Sequence, residues 1–374
     1  MKKITIGLTV DFDIKFYANG LQQNIVFLKK LLNNLENIDS TYIYAGNIPK
    51  EDFISQNRCL PYKEFLDKKY KDFDLIILMG FWFDQKTIDK VKSSRNTKFV
   101  LMQCGNQFIE NSMRSVHNYE KINYLNNFLI GIDSVWILPQ HSQNKTYMKT
   151  FYRVENVKEA PCIWDSIFID KQIKELNNQG ENIDEYTKNL KNIIILEPNL
   201  SIIKNCLLPI YIVESFERKF PKMLSSCNII GGKNIAESHY FIRLILQLDI
   251  YQKRKNFLKA TARYKFVEAV KNFGSVIISH QLENDLNYLY FDALYLNLPL
   301  IHNSARLKKY GYYYPHNDVE IAVTNLRSVI DHYEENIYEY KFKNKQLLDF
   351  YSVNNIKNQK IYLNLITEVI NSKN

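Results

Sequence analysis

Glycine and proline are scarce in this chain, at 11 and 9 of 374 residues, and neither clusters. That excludes collagen-like repeats and Pro/Gly-rich low-complexity arrays. The five cysteines (Cys59, Cys104, Cys162, Cys206, Cys227) stand alone and are odd in number. Without a CxxC pair or a Cys/His cluster, neither a zinc site nor a disulfide scaffold is indicated, and reduced, buried thiols are expected. Long apolar runs are missing as well. The greasiest stretch, LIILMGFWF at 75–83, falls far short of the ~20 residues that span a bilayer. The amino terminus, MKKITIGLTVDFD, reaches Asp11 too soon to hold a secretory h-region, so a cytoplasmic protein is expected. No Walker loop, GxGxxG after the first strand, HExxH or GxSxG is present, which removes most support for kinase, dehydrogenase, zinc-protease and serine-hydrolase chemistry.

What remains is ordinary globular material, 46% hydrophobic and 24% charged, and long enough for two domains. Lys and Arg exceed Asp and Glu by 49 to 40, a net charge of +9. A basic surface suits phosphorylated small molecules, an anionic membrane face or nucleic acid. The cations are dispersed and form no dense tract, so nucleic acid is disfavoured.

Hydrophobic bursts alternate with amphipathic stretches. The first half offers strands at 4–10, 41–45, 74–80, 98–104 and 134–139, with a helix at 20–35 whose Ile25, Leu28, Leu31 and Leu32 share a face. Residues 170–191 are polar and read as a linker or surface helix. The rhythm then restarts, with strands at 192–198, 227–232, 274–280 and 298–303 and helices near 204–220, 236–249, 264–272 and 284–297. Continuous apolar strands separated by helices indicate parallel sheets covered on both faces. The expected class is α/β with two Rossmann-like domains facing each other across a cleft. The expected division is 1–168, a linker at 169–190, 191–352, and a final helix at 353–374 returning to the first domain.

In such sheets ligands gather at the carboxyl ends of the strands. The stretch ENDLNYLYFDALYLNLPLIHNS (283–304) follows the strand ending at His280. Asn284 and Asp285 look like a helix start, an anion site suited to a diphosphate. Asp285 and Asp292, seven apart on one helix, would share a face roughly 10 Å apart. Asn303 and Ser304 close the stretch at the next strand end. In EPNLSIIKN (197–205), Lys204 would offset diphosphate charge, Glu197 would bind sugar hydroxyls, and Asn199 would do either. Arg263 and Lys265 are further phosphate candidates. His141, just past a strand of the first domain, is a candidate base.

Strand, acidic helix and then a Pro-led apolar strand are similar to the donor-sugar segment of GT-B glycosyltransferases. In many retaining members two glutamates lie eight apart. Asp292 in FDA matches the second, which holds the ribose, and the first falls at Asn284. The stretches NGLQQNIVFLKKLL (19–32), EPNLSIIKNCLLPIYIVE (197–214), SHQLENDLNYLYFDALYLNLPLIHNS (279–304) and GYYYP (311–315) resemble a bacterial family of GT-B-type proteins catalogued as a domain of unknown function. That resemblance implies sugar transfer from a nucleotide sugar to a capsule, lipopolysaccharide or other cell-surface glycan or glycolipid. It also implies that the loop carrying Asn19, Gly20, Gln22 and Gln23 faces the reacting centre, touching donor phosphate or acceptor. DFD (11–13) matches the Asp-x-Asp of metal-dependent transferases of the other major fold, but in a two-lobed enzyme it sits on the acceptor side. Asp11 or Asp13 is then a loop residue, or a base if the enzyme inverts. No cofactor or metal is expected. A nucleotide-sugar epimerase of similar architecture, a non-catalytic scaffold subunit and a DNA-modifying glucosyltransferase stay open, as does the choice between retention and inversion.

Overall fold

The computed structural model describes residues 3–13, 17, 20–117 and 129–372. The chain forms two compact units: residues 1–165 together with 349–374, and residues 166–348.

The first unit is built on seven strands: β1 (Ile4–Asp11), β2 (Ile38–Ala45), β3 (Cys59–Pro61), β4 (Leu75–Leu78), β5 (Lys98–Gln103), β6 (Ser134–Ile137) and β7 (Val157–Glu159). They are parallel throughout, in the order β3-β2-β1-β4-β5-β6-β7. The second unit repeats the plan with β8 (Asn192–Ile195), β9 (Ser226–Ile230), β10 (Leu258–Thr261), β11 (Val276–Ile278), β12 (Leu300–His302) and β13 (Tyr312–Tyr313), again all parallel, in the order β10-β9-β8-β11-β12-β13. Counted within each unit, the second sheet has the doubly wound order 3-2-1-4-5-6, and the first has the same order with a seventh strand added at its end. Central strands such as β1, β4 and β8 are buried along most of their length, because helices cover both faces of a parallel sheet. The helix Gly20–Asn33 turns Ile25, Leu28, Leu31 and Leu32 inward, as its period requires.

Two expectations change. Residues 169–190 are not a linker. Residues 167–177 form a helix of the second unit, with Phe168, Ile169, Gln172 and Leu176 buried. The Gln172 side chain accepts from Val267 N at 3.1 Å, and Glu175 pairs with Lys265 at 3.1 Å. The helical stripe is present but thin, and the polar residues around it mask it. The second change is at 283–285, where no helix begins. The helix runs Tyr288–Tyr295, capped by Asn287. Glu283 has φ +50°, a left-handed turn that interrupts the chain before the helix.

The last helix, Ile356–Asn371, belongs to the first unit and buries Tyr362, Leu365, Ile366 and Val369 along one face. Tyr362 donates to Pro161 O at 2.8 Å and meets the Trp136 ring edge-on. Lys98 Nζ donates to Ser372 O at 3.0 Å, tying down the chain end. All three tryptophans (Trp82, Trp136, Trp164) lie in this unit, so tryptophan emission follows its unfolding alone. Tyr362→Phe should cost about 1 kcal/mol, from the lost hydrogen bond. Tyr362→Ala should cost about 3–5 kcal/mol, because it leaves a cavity. Urea titration read by tryptophan fluorescence checks both; equal losses would show that packing contributes nothing at this contact.

Candidate functional site

In the second unit the carboxyl ends of β8, β11 and β12 share one edge of the sheet, and the segments leaving them interlock. The turn after β8 is closed by Asn199, at φ +55°. Its side chain donates to Glu197 O at 2.7 Å and accepts from Cys206 N at 2.8 Å. Lys204 lies antiparallel to Gln281, and Leu282 N donates to Ile203 O at 2.9 Å, which stitches this turn to the segment after β11. Asn303 grips the Gln281 backbone from the other side, accepting from its N–H at 2.9 Å and donating to its carbonyl at 2.8 Å. Ser304 donates to Asp285 O.

Glu197 is at the centre and is fully enclosed. Its carboxylate accepts from Ser279 Oγ and, at 3.4 Å, from Gln281 Nε2, whose amide oxygen accepts in turn from Asn284. Burial raises its pKa to about 7; the Ser279 bond and the Lys204 charge pull the other way without cancelling it. Tyr290 Oη stands 3.1 Å from Ser279 Oγ. The serine has a single proton, so its direction depends on Glu197. With the carboxylate ionised Ser279 donates to it and takes a proton from Tyr290; with the acid protonated the order can reverse.

Two histidines flank this centre, both held neutral by burial with pKa values lowered to about 4. Tyr314 spends its proton on Ser279 O at 3.0 Å, so at the 3.1 Å contact with His280 Nδ1 the imidazole must be the donor. That leaves Nε2 of half-buried His280 as an acceptor. His302 is enclosed, with Nε2 donating to Tyr310 O at 2.8 Å and Nδ1 accepting from Ser304 N at 3.1 Å.

Several expected ligand groups are therefore occupied internally. Glu197 is sealed from any sugar, and Asn199, Asn284, Asn303 and Ser304 spend their side chains on neighbouring loops. Asp285 and Asp292 do not share a helix face, since only Asp292 is helical; Asp285 lies in the preceding loop, 4.0 Å from Arg306. Lys204, His280, Arg263 and Asp292 stay partly or fully exposed. Lys204 Nζ reaches Asn287 Oδ1 at 3.4 Å, and Asn287 Oδ1 also caps the helix at Leu289 N, so a cation sits on the helix's first turn. Gly231 N donates to Ala262 O at 3.1 Å, which brings the Arg263 loop beside the β9 turn. A side chain at Gly231 would lie 3.8 Å from Glu197 O, close to the same turn. The sequence reading overlooked Ser279, Gln281, Asn287, Tyr290 and Tyr314. The only sequence signal for them is that a polar residue directly after a buried strand needs partners.

In the first unit the candidates also lie past carboxyl strand ends, but with other duties. Asp13 accepts from Asn47 N at 3.1 Å and packs over Gly46, where φ is +77° and no Cβ would fit. His141 is fully enclosed within 139–144 and is not presented to solvent as a base. Gly20 is exposed and Gln23 half-buried. Gln22 is fully buried with neither amide atom hydrogen-bonded. Asn19 lies outside the described residues. Among the described residues, no group of three or more His, Cys, Asp or Glu could hold a metal ion.

The family described as "Protein of unknown function (DUF2827)" matches residues 4–366. The chain belongs to this family. No curated protein matches it. Among solved structures, a glycosyltransferase from Rickettsia africae superposes with a TM-score of 0.60 at 14% identity, covering 100% of both chains. Anabaena HepE in complex with UDP-glucose gives 0.58 at 12%, over 97% of this chain and 100% of that one. The N-terminal domain of trehalose-6-phosphate phosphatase from Candida albicans gives 0.61 at 9%, over 98% and 97%. This DUF2827 chain therefore has the GT-B fold, with two Rossmann-like units. Likeness at such identities shows the fold, and proteins named for different activities share it.

Glu197 supplies a pH signature. Its folded pKa, about 7, lies above the usual 4.5, so the unfolded chain releases this proton first as pH rises. The favourable contribution is complete below about pH 4.5 and is lost by about pH 7. Glu197→Gln removes the titration; its amide can face Gln281 with its oxygen while Ser279 turns its proton to Tyr290. Relative to wild type the variant should gain about 2–3 kcal/mol between pH 4.5 and pH 8. Denaturant unfolding across that range, followed by circular dichroism, measures the difference, and a pH-independent offset would contradict the buried acid.

Proposed function

We propose that this protein is a metal-independent glycosyltransferase that moves a sugar from a nucleotide-sugar donor to a cell-surface glycan or glycolipid at the cytoplasmic face of the membrane. The observation that carries the reading is the pairing of Lys204 with the capped start of the helix Tyr288–Tyr295, at the carboxyl edge of a Rossmann sheet. Cationic side chain and helix dipole converge there on one spot, the electrostatics a diphosphate requires. Asp292 lies five residues along the same helix, about 7.5 Å of rise, which suits a ribose joined to that diphosphate. His280 Nε2 offers a neutral acceptor for a hydroxyl, and Arg263 adds positive charge on the same edge. On the acceptor side the reading uses Gly20 and Gln23 of the first unit, which are exposed and half-buried, whereas Gln22 is sealed in the fold.

Chemistry in this reading rests on charge placement. As the bond from the anomeric carbon to the diphosphate breaks, negative charge grows on the departing oxygen. Lys204 and the helix amides stabilise it without reorganising, while an acceptor oxygen forms the new bond to the anomeric carbon and its proton passes to the departing diphosphate or to water. Anabaena HepE is described with UDP-glucose, which makes uridine nucleotides the first donors to try.

A thermal-shift series over nucleoside diphosphates and their sugars should raise the melting temperature of wild type. Lys204→Ala should weaken diphosphate binding about tenfold, the equivalent of one lost charge contact of ~1.4 kcal/mol. Asp292→Ala should lose discrimination between nucleotide and free diphosphate. If Asp292→Ala binds and turns over nucleotide sugar like wild type, the assignment is wrong; an epimer formed from donor alone would replace transfer by epimerisation.

A further inference from the structure

Positive charge is unevenly distributed along the chain. Between 233 and 263, seven Lys or Arg accompany only two acids, Glu237 and Asp249, a surplus of five against +9 for the whole chain. Asp249 is engaged by Lys253 at 2.9 Å and Arg218 at 3.4 Å, and Arg254 pairs with Glu217. Lys233, Arg243, Lys255, Lys259 and Arg263 are exposed and, among the described residues, have no ion-pair partner.

The same segment exposes apolar bulk. The short helix His239–Ile245 packs Phe241 and Ile245 into the unit, while Ile242 and its C-cap Leu246, one turn apart, are turned to solvent with Arg243 between them. Tyr240 is 73% exposed and, on the next helix, Asp249–Gln252, Tyr251 is 49% exposed. Scattered single apolar residues on a surface need no explanation, but four in twelve residues, with unpaired Arg243 among them and further unpaired cations on either side, do.

We propose that this edge of the second unit docks on a bilayer carrying anionic phospholipid. Tyr240, Ile242, Leu246 and Tyr251 would enter the headgroup boundary, and Lys233, Arg243, Lys255 and Lys259 would draw the face to the negative leaflet. Charge decides between occupants: a face with this positive surplus repels its own copy. The edge strand β10 also turns Lys259 outward, which obstructs sheet-to-sheet pairing with a second chain. The inference rests on the glycosyltransferase reading only in placing the protein at a membrane, and it is measured separately.

The test is co-sedimentation of the full chain with phosphatidylcholine vesicles, with or without about a third phosphatidylglycerol. Wild type should bind the anionic vesicles at about 0.1 M salt and release at about 1 M, and should ignore the neutral ones. The pair Ile242→Asp with Leu246→Asp and, separately, Arg243→Glu with Lys255→Glu should each weaken binding about tenfold or more. All four side chains are exposed, so the melting temperature should not move; should either pair unfold, Arg243→Gln with Lys255→Gln makes the same measurement. Nucleotide binding should be unchanged in these variants, and Lys204→Ala should still bind vesicles, so failure of one reading is distinguishable from failure of the other. Wild type that ignores anionic vesicles at low salt would overturn the proposal, as would variants that bind like wild type. So would a dimer, seen by light scattering, that the variants abolish while vesicle binding is absent.

Discussion

Burying the carboxyl of Glu197 at the end of β8 obliges the surrounding segments to replace every hydrogen bond it has lost from water. Ser279 and Gln281 meet that demand, and both come from the chain just past β11, so the ends of two neighbouring strands are locked together. Gln281 in turn needs Asn284 and is clamped along its backbone by Asn303, which brings in the end of β12. One enclosed acid thus sets the positions of three loops at the sheet edge. A partly satisfied network in this place would cost more than an apolar core, which is why so many of its polar side chains are occupied.

That saturation decides which groups can meet a ligand. Asn199, Asn284, Asn303 and Ser304 are scaffold. Lys204 and His280 adjoin it and stay partly exposed, as do Asp292 on the helix and the exposed Arg263. The helix begins late, at Tyr288, because the chain first makes the left-handed turn at Glu283 and the Asn284–Gln281 contact. Lys204 can then reach the cap Asn287. The neutral state of His280 follows from its half-buried setting against Tyr314, and makes it a hydrogen-bonding group at ordinary pH rather than a cation.

The buried central strands were legible because a strand covered on both faces carries unbroken apolar runs, as in III at 193–195 and LIIL at 75–78. The short edge strands β3, β7, β10 and β13 carry no such signal: β10 has two of its four residues exposed, and β13 is two residues long. At 167–177 the sequence left a linker and a surface helix both open, because charged residues crowd the helix's narrow apolar stripe. At the site, residue types were informative about which loops matter. They were uninformative about which way a side chain turns, since an Asn that caps a loop and an Asn that binds a ligand look alike in one dimension.

The sequence by itself determined two α/β units, the strand ends around which polar groups gather, and the positive surplus. These follow from local periodicity and composition, which need no long-range contact. Only tertiary structure decided that Glu197 is enclosed, that Asp285 and Asp292 part company, and that His141 is sealed away. It also decided that five of the seven cations between 233 and 263 lie unpaired near exposed apolar side chains, while Lys253 and Arg254 are paired. Burial and hydrogen-bond partnership are set by residues that can lie 274 positions apart, as Lys98 and Ser372 do, and no local pattern encodes them.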